Sequence, residues 1–280
     1  MINRRLLDGK KELALNGRAL IMGILNVTPD SFSDGGSCVT PEAALAKAKA
    51  LVENGADIID IGAESTRPGA IPLTAEEEQE RLLPVLDLLY RELTVPISVD
   101  TYHAATAETA VECGADIIND VKGLQNPDEY GEMAKVAART KAPVIIMHNA
   151  DLTEFEGELT EKIKEFFRRS LSIAKAAGVE QKRIILDPGI GFGKNTAQNL
   201  DIIKNLSELI LIDNYAYPIL LGASRKRFIG DTLNADVKDR LEGTIAAHLY
   251  GLSQGADILR VHDVKEVSRA VKMWEAIGKR

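Results

Sequence analysis

Cysteine is scarce in this 280-residue chain, with only Cys38 and Cys113, far apart and in no metal-binding spacing. The scarcity gives no disulfide framework, and the expectation is a reduced, intracellular, cytoplasmic setting. Histidine is also scarce: His103, His148, His248 and His262 show no zinc spacing. Long hydrophobic runs are missing, so no segment is read as crossing a bilayer. The first residues, Met1 to Asp8, lack the apolar core of a signal peptide. Positive charge is in deficit. A formal net charge of −8 argues against a general nucleic-acid or membrane-surface binder, while leaving room for a local anion site. No linker-like stretch divides the chain, so 1–280 reads as a single domain, and 45% apolar residues suffice for a sizeable core.

What is present is a regular alternation. Short runs rich in Ile and Val occur near 19–27, 57–63, 96–100, 115–121, 143–148, 183–187, 218–223 and 256–262. Helical periodicity falls between them, at 41–54, 74–90, 102–113, 127–139, 158–177, 236–250 and 264–277, with 196–213 poorly patterned. Thr74 and Glu77 have capping-box spacing, and Pro84 should kink the helix that follows. One phrase recurs three times: Gly55-Ala56-Asp57-Ile58, Gly114-Ala115-Asp116-Ile117 and Gly255-Ala256-Asp257-Ile258. It reads as a helix ending on glycine, then a short turn into a buried strand. Near-continuous apolar strands suit a parallel sheet covered on both faces. The expectation is an α/β protein, a (β/α)8 TIM barrel with a short N-terminal β-hairpin over 1–18, marked by Asp8-Gly9 and Asn16-Gly17. An open doubly wound sheet is the alternative.

The ends of the strands are polar. They offer Asn26, Asp60, Asp100, Asn119 with Asp120, Met147-His148-Asn149, Asp187, Ser224-Arg225-Lys226-Arg227, and Arg260 with His262. In a barrel this is the functional face. A lone acid at a strand end is often only a cap, and Asp120 and Asp263 are read so. Asp60, Asp100, Asn119, Asp187 and Lys226 suit a polar heterocycle. Arg67, Arg260 and His262, with Asn26, suit phosphate oxygens, and Asn26 suits a shared Mg²⁺. The stretch from Asp187 to Lys194 carries three alternating glycines, which let backbone approach a ligand closely. Its alternative is a glycine-rich turn with a capping aspartate. It is no P-loop, because Pro188 stands where that motif needs glycine and Asn195 where it needs Ser or Thr. A dinucleotide fingerprint fails for want of glycine at 196, and no Ser-His-Asp elbow is present.

These motifs together resemble the dihydropteroate synthase family. The matches are Asn26-Val27-Thr28-Pro29-Asp30-Ser31-Phe32-Ser33-Asp34-Gly35-Gly36, Gly62-Ala63-Glu64-Ser65-Thr66-Arg67-Pro68-Gly69, Ile97-Ser98-Val99-Asp100-Thr101 and Ile118-Asn119-Asp120. They continue with Asp187-Pro188-Gly189-Ile190-Gly191-Phe192-Gly193-Lys194, Ser224-Arg225-Lys226 and Arg260-Val261-His262. The resemblance implies a homodimeric pterin-binding barrel in folate biosynthesis. Such an enzyme condenses 6-hydroxymethyl-7,8-dihydropterin diphosphate with 4-aminobenzoate to give 7,8-dihydropteroate and diphosphate. It implies that Asp60, Asp100, Asn119, Met147, Asp187, Phe192 and Lys226 bind the pterin. Asn26, Thr66, Arg67, Arg260 and His262 would bind diphosphate, with Asn26 also on Mg²⁺. Ser224, Arg227 and Pro68 would border 4-aminobenzoate. Asp187, Lys226, Arg260 and Asp100 would carry catalysis, by SN1-like loss of diphosphate. The chain departs from many relatives at Asn149-Ala150-Asp151-Leu152, which lacks their Gly and Pro, and at Arg227, where some have serine. A methyltetrahydrofolate–corrinoid methyltransferase and a non-catalytic pterin-binding paralogue are the alternatives.

Overall fold

The computed structural model of the protein describes residues 3–7, 11, 13–28, 40–64 and 72–278. The chain opens with an antiparallel hairpin, β1 (Asn3–Leu7) against β2 (Leu13–Asn16). Then come β3 (Leu20–Asn26), α1 (Pro41–Glu53), β4 (Ile58–Gly62), α2 (Ala75–Glu92), β5 (Ile97–Asp100), α3 (Ala104–Glu112) and β6 (Ile117–Asp120). The second half holds α4 (Glu132–Thr140), β7 (Val144–Met147), α5 (Leu159–Ala177), β8 (Ile184–Asp187) and α6 (Thr196–Lys204). Two-residue strands β9 (Leu211–Ile212) and β10 (Tyr215–Ala216) pair with each other. The chain closes with β11 (Leu220–Leu221), α7 (Arg227–Leu233), α8 (Leu241–Ser253), β12 (Ile258–Val261) and α9 (Val264–Gly278).

Eight strands form one sheet in the order β11-β12-β3-β4-β5-β6-β7-β8, and every pair is parallel. The sheet closes where Leu186 of β8 bridges to Ile219, just before β11. This is the (β/α)8 barrel, and the closure excludes the open doubly wound sheet. Two apolar layers hold it. Outward strand residues such as Ile59, Ile61, Val99, Ile118 and Ile146 pack under the helices. Inward residues Met22, Ile58, Ile117, Ile145, Ile185 and Ile258 fill the barrel together with Leu6, Leu13 and Leu15 of the hairpin. The hairpin thus plugs the end where the strands begin. Its Lys11 is 7% exposed and bonds Asp116 at 3.1 Å.

The threefold phrase has a common geometry. Asp57, Asp116 and Asp257 each accept from a neighbouring strand N–H through Oδ2: Ile21 at 2.9 Å, Ile97 at 2.8 Å and Ile219 at 3.0 Å. Each aspartate also donates its own N–H to the carbonyl of that same residue, at 2.8, 2.7 and 2.9 Å respectively. The preceding glycines take φ of 105°, 107° and 96°, which a side chain would strain. The repeat is therefore a strand-starting clip used at three places around the barrel floor.

Several expectations need adjusting. The Thr74–Glu77 capping box is present, and Pro84 lies inside α2, which continues beyond it to Glu92. The segment 196–213 is helical only to Lys204, then turns through a 3₁₀ segment into the β9–β10 pair. The seventh barrel strand shortens to two residues, and α8 starts at Leu241 because α7 and its exit occupy the preceding stretch. Asn16-Gly17 leads from β2 into β3 rather than turning a hairpin, whereas Asp8-Gly9 lies outside the described residues.

Candidate active site

At the C-terminal mouth the inward polar side chains meet. Asp60 on β4 is fully buried and accepts from Asn119 Nδ2 of β6, 3.3 Å from each oxygen. Arg260 on β12 donates Nε to Asp60 Oδ2 at 2.6 Å and a terminal nitrogen to Asp100 Oδ2 at 2.6 Å. Two carboxylates, an amide and a guanidinium are thus one network from four strands. Burial pushes Asp100 up to about 7, with Arg260 opposing and Asp60, Glu78 and Asp187 adding to the rise. Burial works against the Arg260 charge, yet Asp60 and Asp100 together hold it above the ordinary arginine value.

Across the mouth, Asp187 is 6% exposed and accepts from the Gly189 N–H at 2.8 Å. Burial raises its pKa, and Lys226 opposes the rise. Burial likewise lowers Lys226 to about 8, against the pull of Asp187. The Lys226 ammonium donates to the Ile190 carbonyl and lies 4.6 Å from the centre of the Phe192 ring. Cation and ring face each other at cation–π range. Met147 is buried at the end of β7, paired in register with Asp187.

The glycines of this loop serve a different purpose from the one expected. Their φ angles are 66°, 82° and 56° at Gly189, Gly191 and Gly193. A Cβ there would meet the His148 carbonyl at 2.0 Å, the Lys226 stem at 2.9 Å and the Ala150 carbonyl at 2.4 Å. The close approach is to the protein's own backbone and to Lys226. The loop 149–152, where the chain departs from many relatives, is stitched in by Leu152 N–H donating to the Gly193 carbonyl at 2.7 Å.

The anion-facing candidates separate. Arg260 sits with the carboxylates. His262 is exposed at the mouth, and its Nδ1 lies 3.0 Å from Ser224 Oγ. The crowded surroundings, then Arg260 and Arg225, depress its pKa. Arg225 is turned away to pair with Asp263, so Asp263 is an ion-pair partner rather than only a cap. Asp120 does cap, but a turn: it accepts from the N–H groups of Lys122 at 2.8 Å and Leu124 at 2.6 Å. Arg227 starts α7 with its side chain 90% exposed and lies 3.5 Å from Asp231, apart from the buried network. Asn26 ends β3, half-buried, beside Gly62 of β4. Thr66, Arg67 and Pro68 lie outside the described residues.

Two residues with no role assigned from sequence stand out. Lys194 is 8% exposed and donates to the carbonyls of Gly189 at 2.9 Å and Phe192 at 2.8 Å. A lysine inside a glycine-rich loop with no adjacent acid was the available signal. His248 on α8 is fully buried: Nδ1 faces the Thr244 carbonyl at 2.7 Å, and Nε2 accepts from the Ala223 N–H at 3.4 Å. It supports the strand end that carries Ser224. Nothing but its inward place on a helix announces it in sequence.

Comparisons with known proteins identify the family. Residues 22–262 match the family model described as pterin binding enzyme. A dihydropteroate synthase of Clostridium beijerinckii is 48% identical over 273 residues, covering 97% of this chain and 99% of that protein. The structure of Xanthomonas albilineans dihydropteroate synthase with 4-aminobenzoic acid superposes with a TM-score of 0.92 at 39% identity, covering 100% of both chains. The same organism's enzyme in complex with 7,8-dihydropteroate gives a TM-score of 0.88 at 37% identity, covering 99% of each chain. The chain belongs to the dihydropteroate synthase family of pterin-binding enzymes, transferases of folate biosynthesis.

Proposed function

We propose that this chain condenses 6-hydroxymethyl-7,8-dihydropterin diphosphate with 4-aminobenzoate, forming 7,8-dihydropteroate and releasing diphosphate. The observation that carries the reading is the convergence of Asp60, Asp100, Asn119 and Arg260 opposite Asp187 and Lys226 at the barrel mouth. A flat pterin needs acceptors for its amino edge and donors for its carbonyl. Asp100, Asp187 and Asn119 supply acceptors, and Asn119 and Lys226 supply donors. Met147 and Phe192 give the ring apolar walls. Loss of diphosphate leaves a cationic carbon conjugated to that ring, and buried carboxylates favour such charge. We read the step as dissociative and SN1-like, followed by attack of the aryl amine.

Arg260 has five N–H donors, and its pairs with Asp60 and Asp100 engage two of its nitrogens. The rest can face the departing diphosphate, with His262, Thr66 and Arg67 as further ligands. Ser224, Pro68 and the exposed Arg227 border the aminobenzoate. Mg²⁺ fits on the same argument. Asn26 offers one neutral oxygen, and among the described residues no group of three or more His, Cys, Asp or Glu is placed to hold a metal. A hard ion kept mainly by water and substrate phosphate suits a site to which, among the described residues, the Asn26 amide is the group assigned. When bound, it would neutralise charge on the leaving diphosphate.

We also infer a homodimer. An apolar groove of about 410 Å³ between α6, α7 and α8 exposes Leu200, Leu233 and Tyr250, a surface suited to a second copy. Sedimentation would test it. A cytoplasmic setting is consistent with the free, exposed Cys113. The central experiment measures diphosphate release from purified protein. Release that needs both substrates and Mg²⁺ is expected. Pterin binding without release would instead indicate a non-catalytic protein, and methyl transfer a corrinoid methyltransferase.

A further inference from the structure

The glycine-rich loop after β8 contains a buried cation that the proposed reaction does not use. Lys194 sends its ammonium back across the loop to the carbonyls of Gly189 and Phe192, at 2.9 and 2.8 Å. The Phe192 N–H also donates to the Gly189 carbonyl, at 3.1 Å. Gly189 and Phe192 are therefore tied both directly and through Lys194. Asn199 of α6 holds the outside of the same turn. It accepts from the Gly191 N–H at 2.6 Å and donates to the Lys194 carbonyl at 3.2 Å. On the inner side, Lys226 lies along Gly191 and over the Phe192 ring.

Burying an ammonium costs several kcal/mol unless its environment answers the charge. A loop that needed only filler would take methionine. Here two carbonyl oxygens meet the charge, and Asp187 stands near enough to favour it. Burial nevertheless lowers Lys194 to about 7, and Lys226 adds to the fall. His148 also faces this region and is held neutral by burial, with Lys194 reinforcing that.

We propose that Lys194 is a positioning residue for the pterin site: by stapling the Gly189 and Phe192 carbonyls it sets the Phe192 ring against the Lys226 ammonium. The inference rests on the proposed pterin-binding role of Phe192 and Lys226. Its effect passes through Phe192 and not through contact with substrate.

The test is a double-mutant cycle on the full-length protein, with steady-state kinetics for each substrate. Lys194→Met is expected to raise KM for the pterin diphosphate about tenfold, the loss of a charged hydrogen bond. KM for 4-aminobenzoate should stay within about twofold. In a Phe192→Ala background the same substitution should raise pterin KM by less than about twofold, because the ring it positions is gone. Thermal unfolding checks that each variant is folded. If Lys194→Met does not fold, Lys194→Gln is read in the same cycle by the same criteria. A folded variant with unchanged pterin KM overturns the proposal, as does a cycle in which the two effects simply multiply. A wild-type protein that forms no dihydropteroate would instead overturn the functional reading beneath it.

Discussion

Arg260 and Asp60 are 200 residues apart in sequence, and their side chains meet at 2.6 Å inside the barrel. The same guanidinium holds Asp100, so the residues expected for diphosphate and those expected for the heterocycle form one unit. Removing Arg260 leaves two buried carboxylates without their cation. Arg260→Met should therefore destabilise the protein by about 3–5 kcal/mol. Adding Asp60→Asn to it should recover part of that loss, because one buried charge goes with its partner. Urea unfolding of the two single variants and the double variant measures this coupling. Strict additivity would mean the pair is not coupled.

Asp187 carries a different prediction. Its carboxylate is buried and kept ionisable by Lys226, an arrangement costly to folding and useful for binding a ring that becomes electron-poor. Asp187→Asn should lower kcat/KM by about 100-fold, the scale seen when one preorganised electrostatic group is removed. The unfolding midpoint should hardly move, since the amide can still accept from the Gly189 N–H. Normal turnover by this variant would remove Asp187 from the pterin site.

The acid side of the stability profile should bear the mark of His148. The ring is buried against Phe166, with centroids 4.7 Å apart, and its Nδ1 has no hydrogen-bond partner among the described residues. Burial, then Lys194, holds its pKa down to about 3, well below the ordinary histidine value. A depressed histidine contributes stability above its unfolded pKa and loses it as pH falls toward the folded one. The relevant window is therefore pH 6.5 down to about 3. Between pH 7 and pH 5, His148→Leu should gain about 1–2 kcal/mol relative to wild type. Denaturant midpoints at the two pH values give the comparison; parallel curves would show that His148 does not titrate in this way.

Two glycines of the same loop should respond differently to a methyl group. At Gly193 a Cβ would press on the Ala150 carbonyl at 2.4 Å, and backbone cannot step aside cheaply. At Gly191 it would meet the Lys226 stem at 2.9 Å, which can bend. Both carry the left-handed φ penalty of about 1–2 kcal/mol. Gly193→Ala should accordingly cost more stability than Gly191→Ala, while Gly191→Ala should raise pterin KM by displacing Lys226. Calorimetry and kinetics on the two variants separate these effects. Equal stability loss with no change in pterin KM would count against the packing described for Lys226.

Much of the fold was legible because its signals are local. The Ile- and Val-rich runs mark the strands, the capping box marks the start of α2, and the thrice-said Gly-Ala-Asp phrase marks the strand starts. The clip that Asp57, Asp116 and Asp257 each make was not legible, because Ile21, Ile97 and Ile219 are chosen by sheet order. The β9–β10 detour was missed, and the seventh strand, expected over 218–223, was read too long, for a related reason. Their pairing depends on neighbours rather than on their own composition.

The polar strand ends were legible as a set, since period-two alternation tells which side chains face inward. Their heights in the barrel were not. Register pairs Asp100 with Asn119 but Asp60 with Ser98, and this stagger brings Arg260 between Asp60 and Asp100. The glycines of the 187–194 loop were read as making room for a ligand, yet the space goes to His148, Lys226 and Ala150. Sequence alone therefore determined the strand–helix alternation and the inward-facing residue types, because both follow from local periodicity. Only the closed, staggered sheet decided which charges touch, because contact between side chains from different strands is a property of register and shear.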